Sequence, residues 1–356
     1  MITPEIVVAY TQCKLKAYLL LCSDKKGILH EYISILEENS KKNKEKYVSR
    51  INMKFPEAMP YSPDEIKKGT PILREADLVF GELEVYADVL TKVEEFSSQR
   101  RRHNYAPTIV VGTHKINKEQ KLQIAFIGYV FSKFQKLKPT NGIIAEGWDK
   151  KHKIRLEPIY KEVEQILRKL RSWISSAEQE VPPTILNKHC PYCRFQKDCE
   201  TKAKEQDHLS LLKGMSEKEI LAQNKKGIFT ITQFSYTYRP RKRIKGKEDQ
   251  PPKHYHSLRA LAVRDEKIYV MEKPEIPQSS THIYLDVEGI PDQDFYYLIG
   301  LVVTNGISTN SFSFWADNQD EEEEIWHKFV SLIKNYRYRE SLIFRKNLLF
   351  YKSSTF

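Results

Sequence analysis

Cysteines have the most distinctive spacing in this chain. Two of them, Cys13 and Cys22, lie far upstream of a C-x2-C-x5-C run formed by Cys190, Cys193 and Cys199. Thiolates in proteins bind zinc or iron–sulphur clusters. Structural zinc sites usually combine two close pairs of ligands, whereas here three ligands cluster and the fourth is remote. The spacing therefore favours an iron–sulphur cluster, with a zinc site and unligated thiols as the alternatives.

A pair of carboxylates in the C-terminal part of the chain is also spaced for chemistry. Asp286 and Glu288 lie two residues apart in the string IYLDVEG, which is typical of a strand. Because side chains alternate along a strand, both carboxylates are expected on the same face. Carboxylates placed in this way can bridge two metal ions. The alternative is an exposed acidic pair at the end of a strand.

The cysteines also resemble a known signature. A remote N-terminal cysteine followed by C-x2-C-x5-C, here Cys13 and the segment HCPYCRFQKDC, is similar to the iron–sulphur motif of AddB and of the CRISPR-associated RecB-like exonucleases. The resemblance implies a 4Fe-4S cluster bound by Cys13, Cys190, Cys193 and Cys199. Such a cluster would tie the N-terminal helix to the end of a nuclease domain. Cys22 is then expected to be a core thiol.

Three further residues resemble the order found in PD-(D/E)XK nucleases. In that family a helix histidine, a strand aspartate and a Glu/Asp-x-Lys strand assemble a divalent metal ion and hydroxide at the scissile phosphate. His30 in GILHEYISILEE, Asp88 in VYADVLTKVE and Lys115 in APTIVVGTHKI match these positions. The resemblance implies a catalytic role for all three, with Mg or Mn bound at Asp88. Without it, His30 is typical of an exposed histidine and Asp88 of a turn residue.

The sequence departs from this family at two positions. Thr113 stands where the family has a carboxylate, and Ala125-x-x-x-Tyr129 replaces the family's Gln-x-x-x-Tyr. A neutral hydroxyl is a poor substitute for a carboxylate, so metal affinity is expected to fall unless another acid such as Glu94 reaches the site. Tyr129 is expected in the core or against DNA bases rather than in catalysis.

The segment around Asp286 and Glu288 resembles the first motif of the DEDD exonucleases and of YprB-type RNase H-like domains. The following string FSFWADNQDEEEEIWHKFV resembles the next strand and helix of those domains. The resemblance implies two-metal phosphodiester cleavage. The family's later aspartates have no counterpart in the remaining residues, and the final string RKNLLFYKSSTF carries no acid. We therefore expect a truncated or frameshifted C-terminal domain.

The charge balance indicates the class of partner. The 356 residues include 58 Lys and Arg against 47 Asp and Glu, a net charge of +11. A basic surface binds nucleic acid through counterion release, although a solvated basic surface without a partner has the same composition. No signal peptide and no apolar run of about 18 residues is recognisable, so we expect a cytoplasmic protein outside the membrane. In that reducing compartment, clustered cysteines favour metal binding over disulfides.

Hydrophobic periodicity predicts the elements that position these residues. Helices are expected over 4–22, over 25–42 with His30 inside the helix, over 118–136 and over 158–177. Two short helices around Gly214 and Gly227, in residues 207–238, are compatible with a helix-hairpin-helix. Strands are expected over 76–94, 108–112, 282–286 and 296–303.

These elements predict an α/β fold class. We expect a restriction-endonuclease-like, PD-(D/E)XK core with iron–sulphur-linked helices, followed by a partial RNase H-like domain. The expected domains are 1–205 (RecB-like nuclease with the four cysteines), 206–240 (helix-hairpin-helix-like), 241–278 (basic linker and strand) and 279–356 (truncated RNase H-like). In the linker, Arg241, Lys242 and Arg243 are expected to contact phosphates.

The expected function is metal-dependent cleavage of DNA, or of an RNA–DNA substrate, in repair or defence. Thr113 and the missing C-terminal acids support an alternative, a catalytically inactive nucleic-acid-binding protein. A third hypothesis is a decaying gene product that folds only in part. The sequence does not identify a helicase or repair partner.

Overall fold

The computed structural model describes residues 1–93, 103–113, 115–175, 181–239, 255–270, 280–290, 295–337 and 342–345. The chain divides into two compact units. The first comprises residues 1–112 and 116–269, and the second comprises residues 113–115 and 270–356. Each unit combines helices with a β-sheet, which confirms the α/β class. Among the helices within the described ranges, none is long and apolar enough to cross a membrane.

The first unit is built on a mixed six-stranded sheet whose strand order follows the sequence. Neighbouring strands are antiparallel except for two parallel pairs, the first with the second and the fourth with the fifth. The strands are β1 (Met59–Pro60), β2 (Ile72–Phe80), β3 (Leu83–Val93), β4 (Asn104–Val110), β5 (Asn141–Ala145) and β6 (Lys151–Arg155). The hairpin β2–β3 corresponds to the strands expected over 76–94, and Glu94 lies outside the described residues.

Ten α-helices belong to the described part of the first unit. They are α1 (Pro4–Gln12), α2 (Lys14–Cys22), α3 (Glu31–Lys54), α4 (Pro63–Lys68), α5 (Lys118–Gln135), α6 (Glu157–Ser175), α7 (Gln196–Glu205), α8 (Glu217–Asn224), α9 (Ile231–Ser235) and α10 (His256–Arg264). The helices expected over 118–136 and 158–177 are confirmed by α5 and α6. Because β4 and β5 run parallel, the chain needs a crossover between them, and α5 provides it.

The sheet of the first unit is covered on both faces. Adjacent residues of a strand point to opposite faces, and this alternation separates two clusters of buried side chains. Ile144 of β5 lies in the larger cluster with α1, α5 and α6, whereas the next residue, Ala145, lies in the smaller cluster with Tyr47 and Ile51 of α3. The helix α3 therefore covers the face opposite to α5.

Two sequence predictions near the N-terminus place helix ends wrongly. The single helix expected over 4–22 is interrupted at Cys13, whose backbone is extended and whose thiol caps α2 by accepting the Lys16 N–H at 3.4 Å. The helix expected over 25–42 with His30 inside it begins only at Glu31. His30 is instead the N-cap of α3, because its Nδ1 accepts the Tyr32 N–H at 3.2 Å.

A small helical cluster follows α7. A 3-10 turn at Leu209–Leu211 and the helices α8, α9 and α10 share their own buried apolar side chains, including Ile220 and Phe234. Gly227, between α8 and α9, has a φ of 77°, a left-handed conformation that favours glycine. Short helices around this glycine agree with the two expected over 207–238.

The second unit contains a four-stranded sheet in the order β10-β7-β8-β9. These strands are β7 (His282–Ile290), β8 (Phe295–Thr304), β9 (Thr309–Trp315) and β10 (Leu342–Arg345), and α11 (Glu322–Arg337) lies between the last two in the sequence. Ile283 of β7 and Ile325 of α11 share one buried cluster, so the helix covers one face of the sheet. The strands expected over 282–286 and 296–303 are confirmed by β7 and β8.

Candidate functional site

The four cysteines of the predicted cluster line one pocket. Cys13 lies between α1 and α2, Cys190 and Cys193 lie at a 3-10 turn (Cys190–Tyr192), and Cys199 lies on α7. Cys22, at the end of α2, is half-buried and is not among the lining residues. The remote cysteine that the sequence pattern selected is therefore the one that joins the C-x2-C-x5-C run.

Burial raises the pKa of three of these thiols. The pKa values of Cys13 and Cys190 rise, and that of Cys199 rises to about 11, with charges on the other cysteines adding to the effect of burial. Four thiolates would repel one another in this pocket, and a bound metal cation would remove that repulsion. Without such a cation, burial and mutual repulsion favour the protonated thiols.

Backbone and side-chain contacts hold the N-terminal segment against the cysteine run. The side chain of Asn187 donates to the Gln12 carbonyl at 3.1 Å, while its backbone N–H donates to the Cys190 thiol at 3.2 Å. Ile28 N–H donates to the Arg194 carbonyl at 2.9 Å. These contacts position Cys13 beside the run without any covalent link.

The thiols surround the pocket without meeting at one point. Across the described ranges, no three His, Cys, Asp or Glu side chains converge closely enough to hold a single metal ion.

Asp88 is a buried carboxylate at the point where β3 and β4 separate. The ladder between these strands ends at the pair Val89 and Thr108. Beyond it, the Asp88 side chain replaces a ladder carbonyl, because its Oδ2 accepts the Val110 N–H at 2.7 Å. The other oxygen, Oδ1, lies 3.2 Å from the ammonium of Lys44 on α3. Asp88 thus connects two strands and a helix, rather than occupying a surface turn.

The charges around Asp88 act in opposite directions. Burial raises the pKa of this carboxyl, the Val110 N–H and Lys44 oppose the rise, and the charge of Glu75 adds to it. The pKa of Lys44 is raised because contacts with Tyr86 and Asp88 outweigh the effect of its burial. The ammonium also lies 3.8 Å from the centre of the Tyr86 ring. The carboxylate is therefore matched with a cation in a half-buried site.

His30 belongs to the surroundings of the cysteine run. Its ring makes an edge-to-face contact with Tyr192, with 5.2 Å between the ring centroids. Tyr192 lies between Cys190 and Cys193 in the sequence. The contacts recorded for His30 are thus with its own helix and with the cysteine run, and its catalytic role stays a prediction.

The other residues singled out in the sequence are divided between the two units, and some of them lie outside the described residues. Thr113 and Lys115 are grouped with the second unit, where the Thr113 hydroxyl donates to the Lys115 carbonyl at 3.4 Å. Ala125 and Tyr129 are buried in α5, and Tyr129 packs against Tyr160, so it is a core aromatic. Glu94 and the basic linker residues Arg241, Lys242 and Arg243 lie outside the described residues.

Asp286 and Glu288 lie on the face of β7 that α11 does not cover. Both are exposed, as is Tyr284 two residues earlier, while the alternating residue Ile283 is buried under the helix. Their cross-strand neighbours on β8 are Gly300 and Leu298. The same-face geometry that the spacing predicts is confirmed, whereas metal binding at this pair stays a prediction.

Lys44 is the site residue that sequence reasoning missed. It lies in the lysine-rich string KKNKEK, in which nothing distinguishes one lysine from its neighbours. Only the packing of α3 on the sheet selects Lys44 as the partner of Asp88.

No protein-family model and no curated protein matches this chain.

Proposed function

We propose that this chain is a RecB-like, PD-(D/E)XK-type nuclease that acts on DNA, with its catalytic carboxylate at Asp88. A 4Fe-4S cluster on Cys13, Cys190, Cys193 and Cys199 would hold the domain together. The observation that carries the proposal is the single pocket lined by these four cysteines, because the resemblance to iron–sulphur nucleases rests on that set of ligands. Zinc is the alternative occupant of the pocket.

Four cysteine thiols are the donor set that a 4Fe-4S cluster takes. Such a cluster takes one thiolate at each of its four corners, so its ligands surround a volume rather than a point. Cys13 would bind from the junction of α1 and α2, and the other three from the run that ends in α7. The bound cluster would supply a structural link, and Asn187 already connects the same two segments.

In this proposal Asp88 would be a ligand of the divalent metal ion. Mg is often held by one or two carboxylates, with water and substrate phosphates completing its coordination. When bound, Mg or Mn would activate water and neutralise charge on the phosphate. Lys44 holds an ammonium 3.2 Å from the carboxylate, where it can attract a phosphate oxygen. In this proposal Lys44 is the cation beside Asp88, and the catalytic roles of Lys115 and His30 stay predictions.

The second unit would supply an RNase H-like, DEDD-type exonuclease segment. Asp286 and Glu288 share an exposed face of β7, as two carboxylates that bridge two Mg or Mn ions must. We place the protein in the cytoplasm, because free thiols that bind a cluster persist in a reducing compartment. The basic net charge of +11 supports DNA as the partner.

The contacts of Asp88 favour a second candidate function, nucleic-acid binding without cleavage. Both oxygens of this carboxylate are already engaged, one by the Val110 N–H and one by Lys44. Thr113 also carries a hydroxyl where the nuclease family carries a carboxylate. If the Asp88 carboxylate serves only to connect the two strands with α3, the protein would bind nucleic acid without cutting it.

A cleavage assay separates the two functions. Anaerobically purified protein is incubated with end-labelled single- and double-stranded DNA and Mn, beside Asp88→Asn, Asp286→Asn and, as a control, Asp77→Asn at an exposed position of β2. The nuclease proposal expects loss of cutting in Asp88→Asn or Asp286→Asn and unchanged cutting in the control. Binding without cutting by every protein, including the wild type, would overturn it and leave the binding function.

A further inference from the structure

A groove lies on the sheet face covered by α3. It has a volume of about 490 Å³ and runs between the exposed side of α3 and the turn that joins β5 to β6. Lys46, Tyr47, Arg50 and Met53 line it from the helix, and Trp148 lines it from the turn. This volume lies within the range of about 300–1,000 Å³ that is typical of ligand pockets.

The turn presents Trp148 because its base is fixed. Glu146 N–H donates to the Lys150 carbonyl at 3.0 Å and closes the turn. The buried Glu146 carboxylate lies 2.6 Å from the Lys150 ammonium and 3.0 Å from His152 Nε2. Trp148 packs at the rim of the smaller core cluster, 5.4 Å from the Tyr47 ring. Two aromatic rings therefore line the groove in fixed positions.

Cations concentrate around these rings. The ammonium of Lys151 lies 4.1 Å from the Trp148 ring centre and 5.3 Å from that of Tyr47, and Lys54 lies 4.9 Å from Trp148. Within the described part of the chain, neither lysine has a carboxylate within 4.0 Å. Arg50 has only a long contact of 3.7 Å with the exposed Asp149.

The positive charges of Lys54 and Lys151 repel each other. Partial desolvation of its largely exposed side chain lowers the pKa of Lys151, and the positive charge of Lys54 lowers it further, whereas Asp149 acts in the opposite direction. Two cations that repel each other beside aromatic rings form a site that a bound anion would stabilise. A ligand with an aromatic group and a phosphate would satisfy both parts of the groove.

We propose that this groove binds single-stranded DNA, with a base stacked on Trp148 and backbone phosphates at Arg50, Lys54 and Lys151. Stacking platforms combined with a basic groove are the usual means of binding single strands, because only unpaired bases expose their faces. Lys151, whose ammonium lies over the Trp148 ring, would move to a phosphate as the base stacks. Glu45 and Asp149 at the rim limit how closely other phosphates approach.

This inference deepens the proposed function and rests on it for the choice of DNA. Tyr47 lines the groove. Burial raises the pKa of Tyr47, and the negative charge of Asp88 raises it further. Lys44, which pairs with Asp88, lies one helical turn before Tyr47 on α3. Tyr47 therefore joins the groove to the helix segment that carries Lys44.

The test measures binding of fluorescein-labelled oligothymidylate to the full-length, anaerobically purified chain in EDTA, by fluorescence anisotropy over a range of salt concentrations. Trp148→Leu is expected to weaken binding about tenfold, a typical effect of one lost stacking contact. Lys54→Gln/Lys151→Gln is expected to weaken binding and to flatten the logarithmic salt dependence by about 1.4, the value for two phosphate contacts on a single strand.

A matched control removes two charges on the other face. Lys161→Gln/Lys169→Gln changes exposed positions of α6, which packs over α5. Equal losses in this control and in Lys54→Gln/Lys151→Gln, or unchanged affinity in the latter, would overturn the groove. Because Lys54 and Lys151 are both exposed, their replacement tests the groove even if the Trp148→Leu variant unfolds.

Further arms separate the ligand classes and the two proposals. Tighter binding of oligouridylate would reassign the groove to RNA, and tighter binding of a DNA duplex would overturn the single-strand assignment. Groove-dependent binding without cleavage in Mn would sink the nuclease proposal alone. Cleavage of single strands that the groove variants leave unchanged would sink the groove alone.

Discussion

Lys44 of α3 and Asp88 of β3 form an ion pair of 3.2 Å over the point where the third and fourth strands of the sheet separate. The second carboxylate oxygen accepts the Val110 N–H at 2.7 Å. One side chain therefore connects three elements, and its two oxygens have different tasks. Substitutions can separate the bond that holds β4 from the charge that faces α3.

Asp88→Ala is expected to destabilise the protein by about 1–3 kcal/mol, because it leaves the Val110 N–H buried without an acceptor. Asp88→Asn keeps an oxygen for that N–H and should lose less. Urea unfolding followed by circular dichroism measures both changes. Asp77→Ala, at an exposed position of β2, is the control. Equal stability of Asp88→Ala and the control would show that the Val110 bond contributes nothing.

Lys44→Met is expected to raise the pKa of Asp88 further, since Lys44 lowers that pKa while burial raises it. A carboxyl whose pKa is higher in the folded state stabilises the fold at low pH, and this stabilisation is lost as the pH rises through the folded pKa. Lys44→Met should therefore cost more stability at neutral pH than near the ordinary value of 3.8.

Two measurements on metal-free protein check this sign. Carbon-13 NMR titration of the aspartate carboxyls gives the pKa of Asp88, and urea unfolding at the two pH values gives the stability. Lys42→Met is the control, because Lys42 pairs with the exposed Glu38 on the same helix. A pKa of Asp88 that falls in Lys44→Met would contradict the role assigned to the ion pair.

The sequence was sufficient to predict several elements and the set of cysteines that lines one pocket, since both depend on spacing. Apolar periodicity located α5, α6, β7 and β8, and the C-x2-C-x5-C run with Cys13 located the pocket. The start of α3 was misplaced because histidine is uncommon among the side chains that cap the beginning of a helix.

The environment of Asp88 could not be predicted, because it depends on contacts between distant segments. Lys44 is one of several similar lysines in the sequence, and only packing of α3 against the sheet selects it. Trp148 was missed for a related reason. A single tryptophan in a turn has no pattern, and its significance appears only beside Tyr47 and the lysines of neighbouring elements.

Gly112→Ala is expected to destabilise the first unit by about 1–3 kcal/mol through overpacking. A Cβ at this position would lie 2.8 Å from the Ser40 backbone nitrogen, so α3 would have to move away from the end of β4. Gly147→Ala is a suitable control, because a Cβ there meets no atom within 4 Å. Urea unfolding compares the two, and equal stabilities would show that α3 adjusts without cost.

His208→Asn tests a pH dependence in the small helical cluster. Burial lowers the pKa of His208, whose Nδ1 accepts the Ser210 N–H at 3.1 Å. A depressed histidine pKa gives stability that is present above the ordinary value of 6.5 and is lost as the pH falls below it. After correction for the intrinsic pH dependence of amide exchange, acid should therefore reduce the hydrogen-exchange protection of residues 207–235 in the wild type.

In His208→Asn the asparagine oxygen can replace the acceptor, and it does not titrate in this range. The acid-induced loss of protection should then be smaller. His327→Asn, on the exposed side of α11, should retain the full loss of protection. The same pH dependence in all three proteins would show that another group controls this cluster.

Cys13→Ser and Cys22→Ser are expected to differ in their effect on the cluster, although both replace a thiol in the N-terminal helices. Cys13 lines the pocket with the C-x2-C-x5-C run, and Cys22 does not. In anaerobically purified protein, Cys13→Ser should lose most of the bound iron and the visible absorbance of the cluster, whereas Cys22→Ser should retain both. Iron and sulphide analysis with absorption spectra provides the measurement. Zinc instead of iron in the wild type would assign the pocket to the alternative metal, and equal iron in both variants would remove Cys13 from the ligand set.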